Sequence, residues 1–369
     1  MSNIRRFRFV FILVALLLLS VAVVRAQDAT EEPTDQCAAG MAATAEAPAE
    51  VPDNSDKSFI IILPNPRGDR SFIDSAAAGA ERAIAELGVN GTIVETAGVQ
   101  EHDAAIRRAV QEHPDLIIMI AVSTDTVEEL VEEFPDQMFA AQEGYFGGPH
   151  DNLAVYNIFT HENSYLAGIA AGMLTRTKIV GSVGGVDGDG INHFIVGFEE
   201  GVKSVCADCQ TLRSYVGGFS DPVTAKEQAL AMFSEGADIL YQVAGRSGEG
   251  VLQAAQETGN FAIGVDSNQD DLYPGTVIVS AMKRVDNAVF DFVKRMTEGT
   301  LTAEATNVAM AEGFAGLSWD VGVCSRTFDQ NGPEDMVARL PEVRAAIETA
   351  REQILSGELH VTNLLQPES

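Results

Sequence analysis

Residues 58–87 read SFIIILPNPRGDRSFIDSAAAGAERAIAEL, and this stretch decides the class of fold. Ser58–Leu63 is an almost unbroken apolar run, the pattern of a strand buried on both faces of a parallel sheet. From Ser71 to Leu87 the period changes. Ala76, Ala80, Ala83 and Ile84 recur at three- and four-residue spacing, which marks one face of a helix. A short Pro- and Gly-containing loop joins the two.

The same rhythm runs on along the chain. Further strands are expected at Thr92–Glu95, Leu116–Ala121, Met138–Gln142, Ala154–Ile158, Ile179–Val183, Thr211–Val216, Ile239–Val243, Phe261–Val265 and Val277–Met282. Helices are expected at His102–His113, Thr124–Phe134, Asn163–Thr175, Asn192–Ser204, Asp221–Glu235, Gly248–Gly259, Val285–Glu298 and Pro341–Ser356. Asp221-Pro222 reads as an N-cap followed by proline at the first helical position. Strand–helix alternation implies right-handed crossovers and parallel sheets. The strands fall into two successive series, split near residue 159, which predicts an α/β protein of two doubly wound lobes. Ligands of such sheets bind at the carboxyl ends of the strands.

Upstream lies an address. Arg5, Arg6 and Arg8 precede an apolar stretch from Val10 to Val24, and Val24-Arg25-Ala26 has the small residues of a cleavage site. Residues 1–26 are therefore expected to be a signal peptide, with a retained anchor as the competing reading. Cys37 lies too far downstream for a lipid-attachment site. Residues 27–57 carry eight acids and many Ala and Pro, the composition of a disordered acidic tether. The expected location is exported, periplasmic or cell-surface associated.

The whole chain has 369 residues, 54 acidic against 24 basic, a net charge of −30 and 46% apolar residues. That apolar share supports a sizeable core. The negative balance argues against nucleic acid, whose phosphates are bound by clustered Lys and Arg. The four cysteines suit an exported protein. Structural disulfides are expected, with Cys206–Cys209 and Cys37–Cys324 as possible bridges that the sequence leaves open.

Residues with chemistry cluster just after the expected strands. Asp69, Ser71, Phe72 and Ile73 follow the first, and Glu143 the fourth. Val183–Gly190 is a Gly-rich turn that lacks the GxGxxG order of a dinucleotide loop and suits close backbone approach instead. Gly245 and Arg246 follow the strand ending at Val243. Asp266 ends its strand, where a carboxylate can accept two hydrogen bonds from a diol. Asp270 and Asp271 are expected to be solvated. Asp69 or Ser71 suits a helix cap equally well, and Phe72 reads either as core or as a stacking plate. No GxSxG elbow, Walker loop, HExxH motif or metal spacing occurs, so a binder is expected rather than an enzyme, with no cofactor and no metal.

Several motifs occur in a recognisable order: Asp69-x-Ser71-Phe72, His161–Gly168, Val183-Gly184-Gly185, Gly217–Pro222, Gly264–Gln269, Pro274-Gly275-Thr276 and Lys283-Arg284-Val285-Asp286. The series, over roughly residues 58–325, resembles the basic membrane protein family, the purine-nucleoside-binding lipoproteins of bacterial ABC importers. The resemblance implies a type I periplasmic-binding-protein fold with a hinge of three crossovers. Lobe 1 would comprise 58–158 plus 284–305, and lobe 2 159–283 plus 306–369. It implies a nucleoside, with purine first, as ligand, an ABC permease and ATPase as partners, and a monomer. Phe72 and Phe219 would stack on the base, with Phe194 as a further wall. Asp266 would hold ribose hydroxyls, Gly245 would meet the sugar through its backbone, and Lys283 matches the family lysine. The family usually has Asn where this chain has Ile73, and often Asp where it has Glu143, so base specificity stays open. A ligand sensor feeding a membrane receptor, or the same fold repurposed for another small ligand, is the alternative.

Overall fold

The computed structural model describes residues 51–143, 147–321 and 324–366. The expected signal peptide, most of the expected tether, and Cys37, Gly144 and Tyr145 lie outside the described residues.

In chain order the elements are β1 (Asn54–Leu63), α1 (Phe72–Leu87), β2 (Val89–Glu95), α2 (His102–Gln111), β3 (Leu116–Ile120), α3 (Thr124–Glu133), β4 (Phe139–Gln142) and β5 (Leu153–Ile158). Then come α4 (His161–Leu174), β6 (Ile179–Gly184), α5 (Asp189–Val205), β7 (Gln210–Tyr215), α6 (Pro222–Ser234), β8 (Ile239–Val243), α7 (Gly248–Thr258), β9 (Phe261–Asp266) and β10 (Val277–Lys283). The chain ends with α8 (Val285–Glu298), β11 (Ala305–Val308), β12 (Ala315–Leu317), α9 (Thr327–Asn331), α10 (Glu334–Val337) and α11 (Leu340–Leu355).

The strands form two six-stranded sheets of matching order, β11-β5-β4-β3-β1-β2 and β12-β10-β9-β8-β6-β7. All pairs are parallel except β10–β12, which is antiparallel. This is the type I two-lobe α/β architecture. The chain passes between the sheets after β5, after β10 and after β11. β1 opens at Asn54, inside the segment expected to be tether, because Asn54 already pairs with Val89. β11 extends the first sheet to Val308, three residues past the expected boundary at 305.

Period-two alternation explains why the central strands read as continuously apolar. On β1, Phe59, Ile61 and Leu63 join α1 and α8 in one core, while Ile60 and Ile62 face α2 and α3 in another. Burying one such side chain contributes roughly 1.5–3 kcal/mol. The second sheet repeats the scheme: Tyr241 packs with α4, α5 and α11, and Leu240 with α6 and α7.

Helices α4 and α5 touch backbone to backbone. A Cβ on Gly168 would overlap the Phe198 carbonyl, and one on Gly201 the Tyr165 carbonyl, so both positions require glycine. Asp221 caps α6 as expected, accepting from Thr224 N at 3.0 Å ahead of Pro222. Helix α11 is docked and not a free surface helix, because Val343, Ile347, Ala350 and Ile354 are buried in the core of the second lobe. Cys206 and Cys209 form a disulfide, and Cys324 is also disulfide-bonded. Among the described residues no helix is long and apolar enough to cross a membrane.

Candidate functional site

A cavity of about 440 Å³ opens between the lobes, and its walls are the residues that follow the strands. Pro64 and Asn65 follow β1, Ala121 follows β3 and Glu143 follows β4. Across the cleft stand Val186 after β6, Gly245 after β8, and Asp266 and Lys283 ending β9 and β10. Several of these residues leave their strands through left-handed backbone: Ala121 (φ 51°), Glu143 (φ 63°), Gly245 (φ 53°) and Asp266 (φ 62°). For a non-glycine residue that conformation costs of order 1–3 kcal/mol and is held only by surrounding contacts. It turns each strand end sharply at the cavity wall.

Nine of the ten residues singled out from sequence line this cavity: Asp69, Phe72, Ile73, Glu143, Phe194, Phe219, Gly245, Asp266 and Lys283. Ser71 does not. It is fully buried, and its Oγ donates to Asp266 Oδ2 at 2.6 Å.

Asp69 is occupied with its own helix. Its carboxylate accepts from the backbone N–H groups of Ser71 (3.0 Å), Ile73 (2.9 Å) and Asp74 (3.1 Å). It therefore satisfies the open donors at the start of α1, the capping alternative. Asp74 answers by accepting from Gly68 and Arg70 N–H. Burial pushes the Asp69 carboxyl up, and its three backbone donors oppose that.

Asp266 is the polar floor. Burial pushes its pKa up to about 6; the Ser71 hydroxyl and the Lys283 charge hold it down, while Asp69 and Glu143 add to the rise. One donor on Oδ2 leaves lone pairs on the carboxylate for a ligand.

Lys283 is buried and ion-paired with Glu143, so a residue ending a second-lobe strand meets one following a first-lobe strand. Its Nζ lies 5.9 Å from the Phe72 ring centre and 5.5 Å from that of Phe194, within cation–π range of both. Phe72, Phe194 and Phe219 give the cavity aromatic faces. Phe219 lies over Gly185, where a Cβ would overlap its ring, and Ser247 N donates to Phe219 O at 3.1 Å. Ser247 Oγ further binds Gly218 O and receives Asp221 N. The Gly-rich turn is thus a set of close approaches: Gly184 under Tyr215 and Gly185 under Phe219, with Gly188 and Gly190 in the cavity wall.

Asp270 was expected to be solvated and is fully buried instead. Its carboxylate accepts from Ser280 Oγ and Ser318 Oγ, each at 2.7 Å, tying the 266–271 loop to β10 and to the segment after β12. Those partners lie far away in sequence, so no local pattern announces the cage. Exposed Asp271 fits the expectation. His161 and His193 are buried and held neutral, with pKa values pushed down to about 4 and about 3 mainly by burial. His193 Nε2 lies 2.7 Å from Thr160 Oγ1 beside the first crossover.

Sequence reasoning missed the apolar lining residues Pro64, Val99 and Ile191, while Val186 belongs to the Gly-rich turn it had singled out. Pro64 and Val99 lie outside the strands and α-helices, and Ile191 sits in the first turn of α5, so none marks itself by periodicity as facing a cavity. Among the described residues no cluster of three His, Cys, Asp or Glu side chains is arranged to hold a metal ion.

Two linked α/β lobes with a cavity at facing strand ends define a solute-binding protein. The family model described as ABC transporter substrate-binding protein PnrA-like (Bmp) matches residues 57–348, and the chain belongs to that family. It is a family of solute-binding proteins, not an enzyme class. Similar relatives include the CD4+ T-cell-stimulating antigen of Listeria innocua, 28% identical over 334 residues, 84% of this chain and 89% of that one. Basic membrane protein D of Borreliella burgdorferi is 31% identical over 248 residues, 66% of this chain and 72% of that one. Among solved structures, an ABC transporter solute-binding protein from Aeropyrum pernix K1 superposes with a TM-score of 0.74 at 26% identity, covering 83% of this chain and 93% of that chain.

Proposed function

We propose that this chain is the exported solute-binding component of an ABC importer, and that it captures a nucleoside, first of all a purine nucleoside, between its lobes for delivery to a membrane permease. The observation that carries the reading is the cavity itself, where the aromatic faces of Phe72, Phe194 and Phe219 and the buried carboxylate of Asp266 share one space. Flat rings stack on a base, and a carboxylate with free lone pairs accepts from a vicinal diol. Lys283 and Glu143 present a donor and an acceptor to a base edge, and Ile73 adds an apolar wall. Gly245 offers backbone to the sugar. Asp69 and Ser71 act indirectly, by ordering α1 and by orienting Asp266.

The apolar segment Val10–Val24 behind Arg5, Arg6 and Arg8 supports export, and the acidic stretch that follows supports a tether. The chain would work as a monomer, with permease and ATPase subunits as its membrane partners. A net charge of −30 disfavours phosphorylated ligands.

Thermal unfolding against nucleosides, nucleobases, nucleotides, sugars and amino acids tests this. A ligand at a hundred times its Kd stabilises by about 2.7 kcal/mol. A shift with nucleosides alone supports the reading. No shift with any nucleoside, in folded ligand-free protein, removes it. A shift with sugars alone assigns the fold to another cargo.

A further inference from the structure

The cavity is graded with depth. At its floor lie two ionisable side chains, Asp266, 7% exposed, and Lys283, 2% exposed. At its mouth Val99 is 74% exposed, Phe219 42% and Val186 37%. These three belong to the small set of large apolar side chains exposed among the described residues, and they come from both lobes. Single exposed apolar residues are ordinary, but three converging on one cavity mouth are not. Ile73, Ile191 and Val243 line the same cavity. The exposed guanidinium of Arg246 also stands there, and it makes no ion pair among the described residues.

Resting on the nucleoside reading above, we infer that the preferred cargo is a nucleoside whose base carries an apolar substituent, aromatic rather than carboxylate or phosphate. With the ribose hydroxyls on Asp266 and one base edge on Lys283 at the floor, the opposite base edge points to the mouth. A substituent on that edge meets Val99 from one side and Val186 from the other, beyond the Phe219 ring that faces the base. Burying it there removes apolar surface of both ligand and protein from water. A planar substituent also offers Arg246 a face on which to stack. An unsubstituted base leaves Val99 and Val186 wet.

The test compares adenosine, N6-benzyladenosine and adenosine 5′-monophosphate by calorimetric titration of the folded, ligand-free chain. N6-benzyladenosine is expected to bind about tenfold or more tighter than adenosine, the scale on which an apolar group is sensed in an apolar pocket. In V99N/V186N the ratio of the two affinities falls toward one. Equal or weaker binding of N6-benzyladenosine overturns the inference while adenosine binding keeps the nucleoside reading. Tighter binding of the monophosphate also overturns it, and assigns Arg246 to an anion. An undiminished ratio in V99N/V186N overturns it as well. Failure of every nucleoside to bind overturns both readings.

Discussion

Ser71 Oγ donates a 2.6 Å hydrogen bond to Asp266 Oδ2, and the two residues belong to different lobes. Two more links lie beside it: Ser267 Oγ donates to Ser71 O at 3.1 Å, and Gln269 Nε2 to Arg70 O at 3.1 Å. The loop before α1 is thus bonded to the loop after β9, next to the cavity floor. Lobe closure in such proteins is a hinge motion, and these bonds oppose opening.

Removing Ser71 Oγ leaves the Asp266 carboxylate short of its neutral donor. S71A is expected to lose about 1–3 kcal/mol in urea unfolding. S71A/S267A removes two of the links, and its ligand-free radius of gyration by small-angle scattering should exceed that of the wild type. Saturating ligand should bring the two together. An unchanged radius would mean that these bonds do not restrain the lobes.

Asp266 has its pKa pushed up to about 6, well above its unfolded value near 4. The folded state then holds a proton that the unfolded state has released. Its contribution is fully present below about pH 4 and is lost as pH rises through 6. His161 and His193, pushed down to about 4 and about 3, act oppositely across much of this window, so the wild-type curve alone hides the effect. Stability of D266N minus that of the wild type should therefore rise between pH 4 and pH 7, by up to about 3 kcal/mol. A flat difference would show that Asp266 titrates like a solvated carboxylate.

The Lys283–Glu143 pair joins strand ends of both lobes, with side chains 3% and 21% exposed. Breaking a buried pair leaves an uncompensated charge. A double-mutant cycle of K283M and E143Q should give a coupling of about 1–3 kcal/mol, lowered from the fully buried case by the exposure of Glu143. Zero coupling would mean that the pair does not persist in solution.

Gly185 leaves the space in which the Phe219 ring lies. G185A should displace the ring and weaken nucleoside binding about tenfold, the scale of one base–aromatic stack. F219A should do the same. Because Phe219 is already 42% exposed, F219A should change the ligand-free melting temperature little. Affinity retained in both would remove Phe219 from the base site.

Much of the fold was legible along the chain. The runs Ser58–Leu63, Leu116–Ala121 and Ile239–Val243 announce strands buried on both faces, and β1, β3 and β8 are such strands. β11 and β12 were not legible. Ala305–Val308 is largely exposed, and Ala315–Leu317 has three residues, so neither carries the apolar run that marks a central strand. The site was legible as far as strand ends point to it. Its lining of isolated apolar residues, Pro64 and Val99 among them, was not.

The sequence by itself determined the two-lobe α/β class, the family and the motifs that meet at the cleft, because periodicity and motif order are local properties of the chain. Only the tertiary structure decided what each polar residue does there. Asp69, Asp266 and Asp270 look alike in sequence, each in a polar loop or at its start. One caps a helix with three backbone bonds, one faces the cavity, and one is sealed among serines. A carboxylate's role follows from its desolvation and its donors, and here those donors come from as near as Ser71 N–H to Asp69 and as far as Ser71 Oγ to Asp266.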